Sequence, residues 1–200
     1  MATLLHVNLK KQTMKKVDKI NHNRILFCDI ETTGLSYDKG DRIWEIAMIE
    51  AIDGELTNNT LRHHINPCRE IPEKVIELCQ LDIETLNSLL IKPTFREVAQ
   101  EVLAFINKEP CVLVFHNAKF DTSFIRGEYS LIEQEPLISE IEYFCNLELA
   151  REVLPAKTKC SLDALVERYN IDTNRVNCGH GALLDVQLLH KVYNCLVNDV

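Results

Sequence analysis

Apolar positions along this chain recur with two periods, and the switches between them mark out strands and helices. "RILFCDI" (24–30) is short and almost wholly apolar, the pattern of a buried strand, and Gly34 turns the chain soon after it. "RIWEIAMIEAIDG" (42–54) predicts a second strand, and its closing Asp53-Gly54 pair marks a turn into a third, "TLRHHINP" (60–67). "IPEKVIELCQ" (71–80) reads as a short helix with Pro72 near its start. "KPTFREVAQEVLAFINK" (92–108) then shows a helical stripe of Phe95, Val98, Val102, Phe105 and Ile106. A strand "CVLVFH" (111–116), a helix "AKFDTSFIRGEYSLIEQ" (118–134), a strand "IEYFCN" (141–146) and a helix "LELAREVL" (147–154) follow. Ser161 caps a helix "LDALVERYN", and a long helix, "GALLDVQLLHKVYNCLV" (181–197), ends the pattern. Strands come first and then alternate with helices, which predicts an α/β fold with a mixed central sheet flanked by helices. No internal repeat or low-complexity tract interrupts it.

Composition narrows this to one domain. The 200 residues, 46% of them apolar, suffice for one sizeable core. No apolar run approaches a membrane span, and the N-terminus lacks the apolar region and cleavage site of a secretory signal. The eight cysteines contain no C-x-x-C pair, and several lie in apolar runs, so a reduced, cytoplasmic setting without a zinc knuckle is expected. The net charge of −8 is wrong for a general nucleic-acid coat but allows an enzyme that grips a few phosphates through metal ions. Lys10, Lys11, Lys15, Lys16, Lys19 and Arg24 stand against one acid, Asp18, so residues 1–22 read as a basic, mobile extension and 23–198 as the folded domain.

Candidate chemistry begins with a tetrapeptide that occurs twice, Asp29-Ile30-Glu31-Thr32 and Asp82-Ile83-Glu84-Thr85. In the first copy strand alternation puts Ile25, Phe27, Asp29 and Glu31 on one face, so two carboxylates end a buried strand face, which is costly without a cation. Thr32-Thr33-Gly34 then turns the chain, and the glycine lets backbone approach a ligand. The second copy follows a helical stretch and has no glycine after it; its acids suit the start of a helical turn. Asp185 falls on the stripe of Leu188, Leu189, Val192 and Leu196, and Asp121 on that of Phe124 and Ile125. An acid on a core-facing stripe must be paired, protonated or metal-bound; each alone also reads as a buried acid satisfied by a cap or an arginine. Together, four acids from one strand and two helices make an oxygen-ligand site for hard cations, suited to phosphodiester hydrolysis. His180, flanked by Gly179 and Gly181, is placed to act as a general base beside it. Asp163 needs only a helix-dipole role, His63 and His64 face solvent or a salt partner, and His116 either lines the site or is structural.

"FCDIETTGLS", "VFHNAKFD" and "HGALLD" resemble the three motifs of the DnaQ-like, DEDDh-type 3′→5′ exonucleases. "CSLDALVERYNI" and "HGALLDVQLLHKVY" are most similar to the proofreading epsilon branch of that family, found in bacterial DNA polymerase III, and the likeness spans about 24–197. The resemblance implies a ribonuclease H-like fold and stepwise hydrolysis of DNA 3′ ends to 5′-mononucleotides. It implies two Mg²⁺ or Mn²⁺ ions on Asp29, Glu31, Asp121 and Asp185, with His180 as the base. Thr32, Thr33, Gly34 and Leu35 would contact the terminal nucleotide, and Asn117 and Phe120, with His180, would help position substrate. The implied partners are a single-stranded or frayed 3′ end and a DNA polymerase subunit. Two departures stand out. Cys79-Gln80-Leu81 replaces the usual His-Gly-Ile/Leu element, and the chain stops at Val200 without the tether of the epsilon branch, as in a short relative or a fragment. An exoribonuclease of the same superfamily and a non-catalytic polymerase-binding module are the alternatives.

Overall fold

A computed structural model describes residues 23–134, 141–173 and 181–199. Five strands form one sheet: β1 (Arg24–Thr32), β2 (Ile43–Ile52), β3 (Glu55–His64), β4 (Val112–Phe115) and β5 (Glu142–Cys145), in the order β3-β2-β1-β4-β5. The first three run antiparallel to their neighbours, and β4 and β5 add in parallel, so the sheet is mixed as the pattern predicted. Helices α1 (Glu73–Cys79), α2 (Ile83–Leu89), α3 (Phe95–Asn107), α4 (Ala118–Leu131), α5 (Asn146–Val153), α6 (Leu162–Arg168) and α7 (Ala182–Asn198) surround it. None of the described helices is long and apolar enough to cross a membrane.

Alternation along β1 divides the core. Leu26, Cys28 and Ile30 point into a layer with α3 and α4, whereas Ile25 and Phe27 point into one with α5, α6 and α7. A third small cluster joins Trp44 of β2 to Cys79 and Leu89, which seats the α1–α2 pair over the end of β1 and β2. The Ser161 cap holds, its hydroxyl accepting a hydrogen bond from the Ala164 N–H at 3.3 Å, and α3 opens with a capping box of Thr94 and Glu97 that the stripe did not announce.

One boundary differs from the sequence reading, and one side chain is more buried than its charge suggested. β3 starts at Glu55, earlier than expected, because the hairpin turn at Asp53-Gly54 pairs Glu55 with Ile52 although residues 55–59 carry no apolar alternation. Arg24, counted with the basic N-terminal charges but placed at the head of the first strand, is the buried first residue of β1. It donates to Glu50 Oε1 at 2.7 Å and to the carbonyls of Phe105, Ile106 and Glu109 at the end of α3. Burial alone would raise the Glu50 carboxyl, but hydrogen bonds from Arg24, Asn59 and Thr57 outweigh it and hold the pKa at about 2.

Candidate active site

The alternation that buries Ile25 and Phe27 against α7 carries Asp29 and Glu31 to the same side at the end of β1. Asp185 arrives there from the first turn of α7, whose stripe of Leu188, Leu189, Val192 and Leu196 is buried in the core. One carboxylate oxygen each from Asp29, Glu31 and Asp185 lies within 4.8 Å of the others. Asp121 comes from the first turn of α4 on the other layer. It reaches β1 because β4 pairs with β1 only as far as Phe27, and beyond that its carboxylate accepts the Ile30 N–H.

The electrostatics follow from this crowding. Burial raises the Asp29 carboxyl well above the usual range, and Asp121, Glu31, Asp185 and Glu45 add to the shift. Asp121 is pushed up to about 8 by burial with the Glu31 charge, although hydrogen bonds from its own N–H and that of Ile30 pull the other way. Such a cluster favours either bound protons or bound cations. Its donors among the described residues are all carboxylate oxygens, which fit hard divalent ions.

The rim is built by the chain after β1. Thr32 and Thr33 are buried; the Thr32 hydroxyl donates to the Gly34 carbonyl at 2.6 Å, and the Thr33 N–H to the Arg42 carbonyl at 2.9 Å. A β-carbon at Gly34 would collide with the Asp41 carboxylate, which itself accepts the Ser36 N–H at 3.1 Å, so the glycine makes room for Asp41. Leu35 is 87% exposed beside this turn. Asn117 precedes α4 with an exposed side chain, and Phe120 is half-buried with its ring 5.0 Å from that of Phe124.

The remaining candidates separate cleanly. His180 lies outside the described residues. The ring Nε2–H of His116 donates to the Cys160 carbonyl at 3.0 Å, a structural bond. His63 and His64 face carboxylates, Glu101 at 3.2 Å and Glu45 at 3.4 Å. In the second tetrapeptide Asp82 caps α2, accepting the Thr85 N–H at 2.7 Å.

A family model for exonucleases matches residues 26–193. The chain belongs to the exonuclease family. This exonuclease is 37% identical over 193 residues to the DNA polymerase III subunit epsilon of Buchnera aphidicola subsp. Baizongia pistaciae, covering 92% of this chain and 73% of that one. It is 37% identical over 178 residues to the Escherichia coli K12 protein of the same name, covering 85% and 70%. Among solved structures it shares its fold with the nuclease domain of 3′hExo, a DEDDh family member, bound to rAMP (TM-score 0.75, 15% identity, 91% and 95% covered). Exonuclease X in complex with 5′ overhanging duplex DNA also superposes, at TM-score 0.64 and 23% identity over 87% and 91% of the two chains. The ribonuclease H-like, mixed-sheet architecture is thus that of the family.

Three residues at the exonuclease's site escaped the sequence reading. Asp41 fills the space at Gly34. Cys79, noted only as a departure, donates its thiol hydrogen to Glu31 Oε2 at 3.6 Å; burial and the Glu31 charge push that thiol well up, so it stays a donor. Glu45, near the start of the mostly apolar β2, is 1% exposed and faces the acid cluster. The available signal was an acid sharing a strand face with Ala47 and Ile49.

Proposed function

We propose that this exonuclease hydrolyses DNA from single-stranded or frayed 3′ ends, one nucleotide at a time, and releases 5′-mononucleotides. The observation that carries the reading is the convergence of Asp29, Glu31 and Asp185 within 4.8 Å, with Asp121 bonded to the same strand. Relatives named as DNA polymerase III subunit epsilon support the DNA assignment and a role beside a DNA polymerase.

Asp29, Glu31, Asp121 and Asp185 would hold two divalent ions, Mg²⁺ or Mn²⁺. Bound there, the ions supply the Lewis-acid charge that offsets the scissile phosphate and the departing 3′ oxygen. His180 takes the proton of the attacking water. Thr32, Thr33, Gly34 and Leu35 contact the terminal nucleotide, the exposed Leu35 offering an apolar face to its base. Asn117 and Phe120 hold the strand in register beside Asp121.

The test uses 5′-labelled DNA and RNA oligonucleotides of one sequence, with Mg²⁺, Mn²⁺ or EDTA. The expected result is a one-nucleotide ladder on DNA that EDTA abolishes. Intact DNA in both metals would overturn the proposal, and a ladder on RNA alone would reassign the substrate.

A further inference from the structure

We propose that Glu45 is a positioning residue: it ties the first turn of α7 to the sheet and thereby sets where Asp185 stands relative to Asp29 and Glu31. The inference rests on the reading of those three acids as the metal-holding set.

Glu45 lies in β2 directly across the ladder from Glu31 and, on its other side, across from His64 of β3. Its carboxylate is buried, and a buried charge must be fully partnered to persist. Arg62 Nε donates to Oε1 at 2.7 Å, and His64 Nε2 lies 3.4 Å from the same oxygen. The other oxygen, Oε2, accepts the backbone N–H of Ala182 at 3.1 Å.

That last bond gives Glu45 its reach. Ala182 opens α7, and the N-cap of α7 is Gly181, which makes no side-chain capping bond. The exposed donors of a helix N-terminus are normally met by the N-cap side chain. Here one of them is met from the sheet, and the negative charge of Glu45 also suits the helix dipole. Asp185 sits one turn further on, its N–H donating to the Gly181 carbonyl at 3.0 Å. An anchor at Ala182 therefore fixes the depth and rotation of the turn that presents Asp185.

Two variants separate reach from charge. Glu45→Asp keeps the charge and can keep the Arg62 pair but is too short for Ala182; Glu45→Gln keeps the length and an oxygen acceptor but not the charge. Hydrogen–deuterium exchange of the first turn of α7 in metal-free protein, and Mn²⁺ titration followed by electron paramagnetic resonance, read the two consequences. Glu45→Asp should exchange faster at 182–185 and bind Mn²⁺ ~10-fold more weakly, the scale of a lost outer-shell partner. Its kcat should fall with KM for the oligonucleotide unchanged. Glu45→Gln should stay nearer to wild type in all three. Glu45→Asp with wild-type exchange and Mn²⁺ affinity, or Glu45→Gln more impaired than Glu45→Asp, would overturn the proposal. Wild-type protein that binds no Mn²⁺ would instead overturn the underlying metal reading, and the exchange data would still test the anchor.

Discussion

The tetrapeptide Asp-Ile-Glu-Thr stands at 29–32 and again at 82–85, and the two copies share little beyond their letters. In the first, Ile30 is 5% exposed within β1, and the acids on either side of it face the side chain of Asp185. In the second, Ile83 is 72% exposed, and Asp82 spends its carboxylate on the N-terminus of a seven-residue helix. One copy crowds charge beside other acids on a half-buried strand end; the other disperses it into water and a backbone N–H. The difference teaches that a D-x-E pattern gains chemistry from the strand that delivers it, since only period-two alternation behind a buried run brings both carboxylates to one side beside a third acid. The copies are also neighbours: Cys79, three residues before Asp82, places its thiol on Glu31.

The comparison breaks most visibly at Asp29. Asp29→Asn should lower exonuclease activity by on the order of 10³-fold or more, because it removes charge at the reacting centre. The metal-free variant should melt no lower than wild type, since like-charge crowding is relieved. A marked loss of metal-free thermal stability would make Asp29 a structural acid instead.

Next in size is a pH effect confined to the first copy's surroundings. Asp121 has its folded pKa raised to about 8 by burial and the Glu31 charge, far above the unfolded value of about 3.9. An acid shifted upwards is no burden below its unfolded pKa and costs stability as pH rises towards the folded one. Metal-free protein should therefore lose thermal stability between about pH 4 and 8, and saturating Mg²⁺ should flatten that slope. Equal slopes with and without metal would separate Asp121 from the cation site.

Smaller effects sharpen the contrast. Cys79→Ala removes the thiol hydrogen bond to Glu31 and should raise the half-saturating Mg²⁺ concentration a few-fold in activity titrations, with a stability loss of about 1 kcal/mol from its buried site beside Trp44 and Leu89. Unchanged metal dependence would leave Cys79 a packing residue. Smallest of all, Asp82→Ala should lower the melting temperature slightly by uncapping α2 and leave the rate of nucleotide release unchanged.

Most of the fold was legible because it is written in local periodicity: the apolar runs of β1, β2 and β4, the stripe of α3, and the cap at Ser161 all fall where the pattern placed them. Asp121 and Asp185 were legible for the same reason, as acids standing on apolar stripes. Glu45 was hidden because β2 is buried on both faces, so nothing in its near-continuous apolar run says which neighbours an acid there will meet. The close approach of Asp41 to Gly34 was hidden because it comes through a turn held by tertiary bonds among Thr33, Arg42 and Glu128. The partners of Arg24 were hidden because charge counting along a segment does not reveal that the end of α3 offers it three carbonyls.

The most direct measurement is the binding of Mn²⁺, by electron paramagnetic resonance, to wild type, Asp29→Asn and Asp82→Asn. Wild type and Asp82→Asn should bind two ions with matching affinities, and Asp29→Asn should lose at least one. Undiminished binding by Asp29→Asn, or loss of binding in Asp82→Asn, would contradict the assignment of the metal site to the first tetrapeptide.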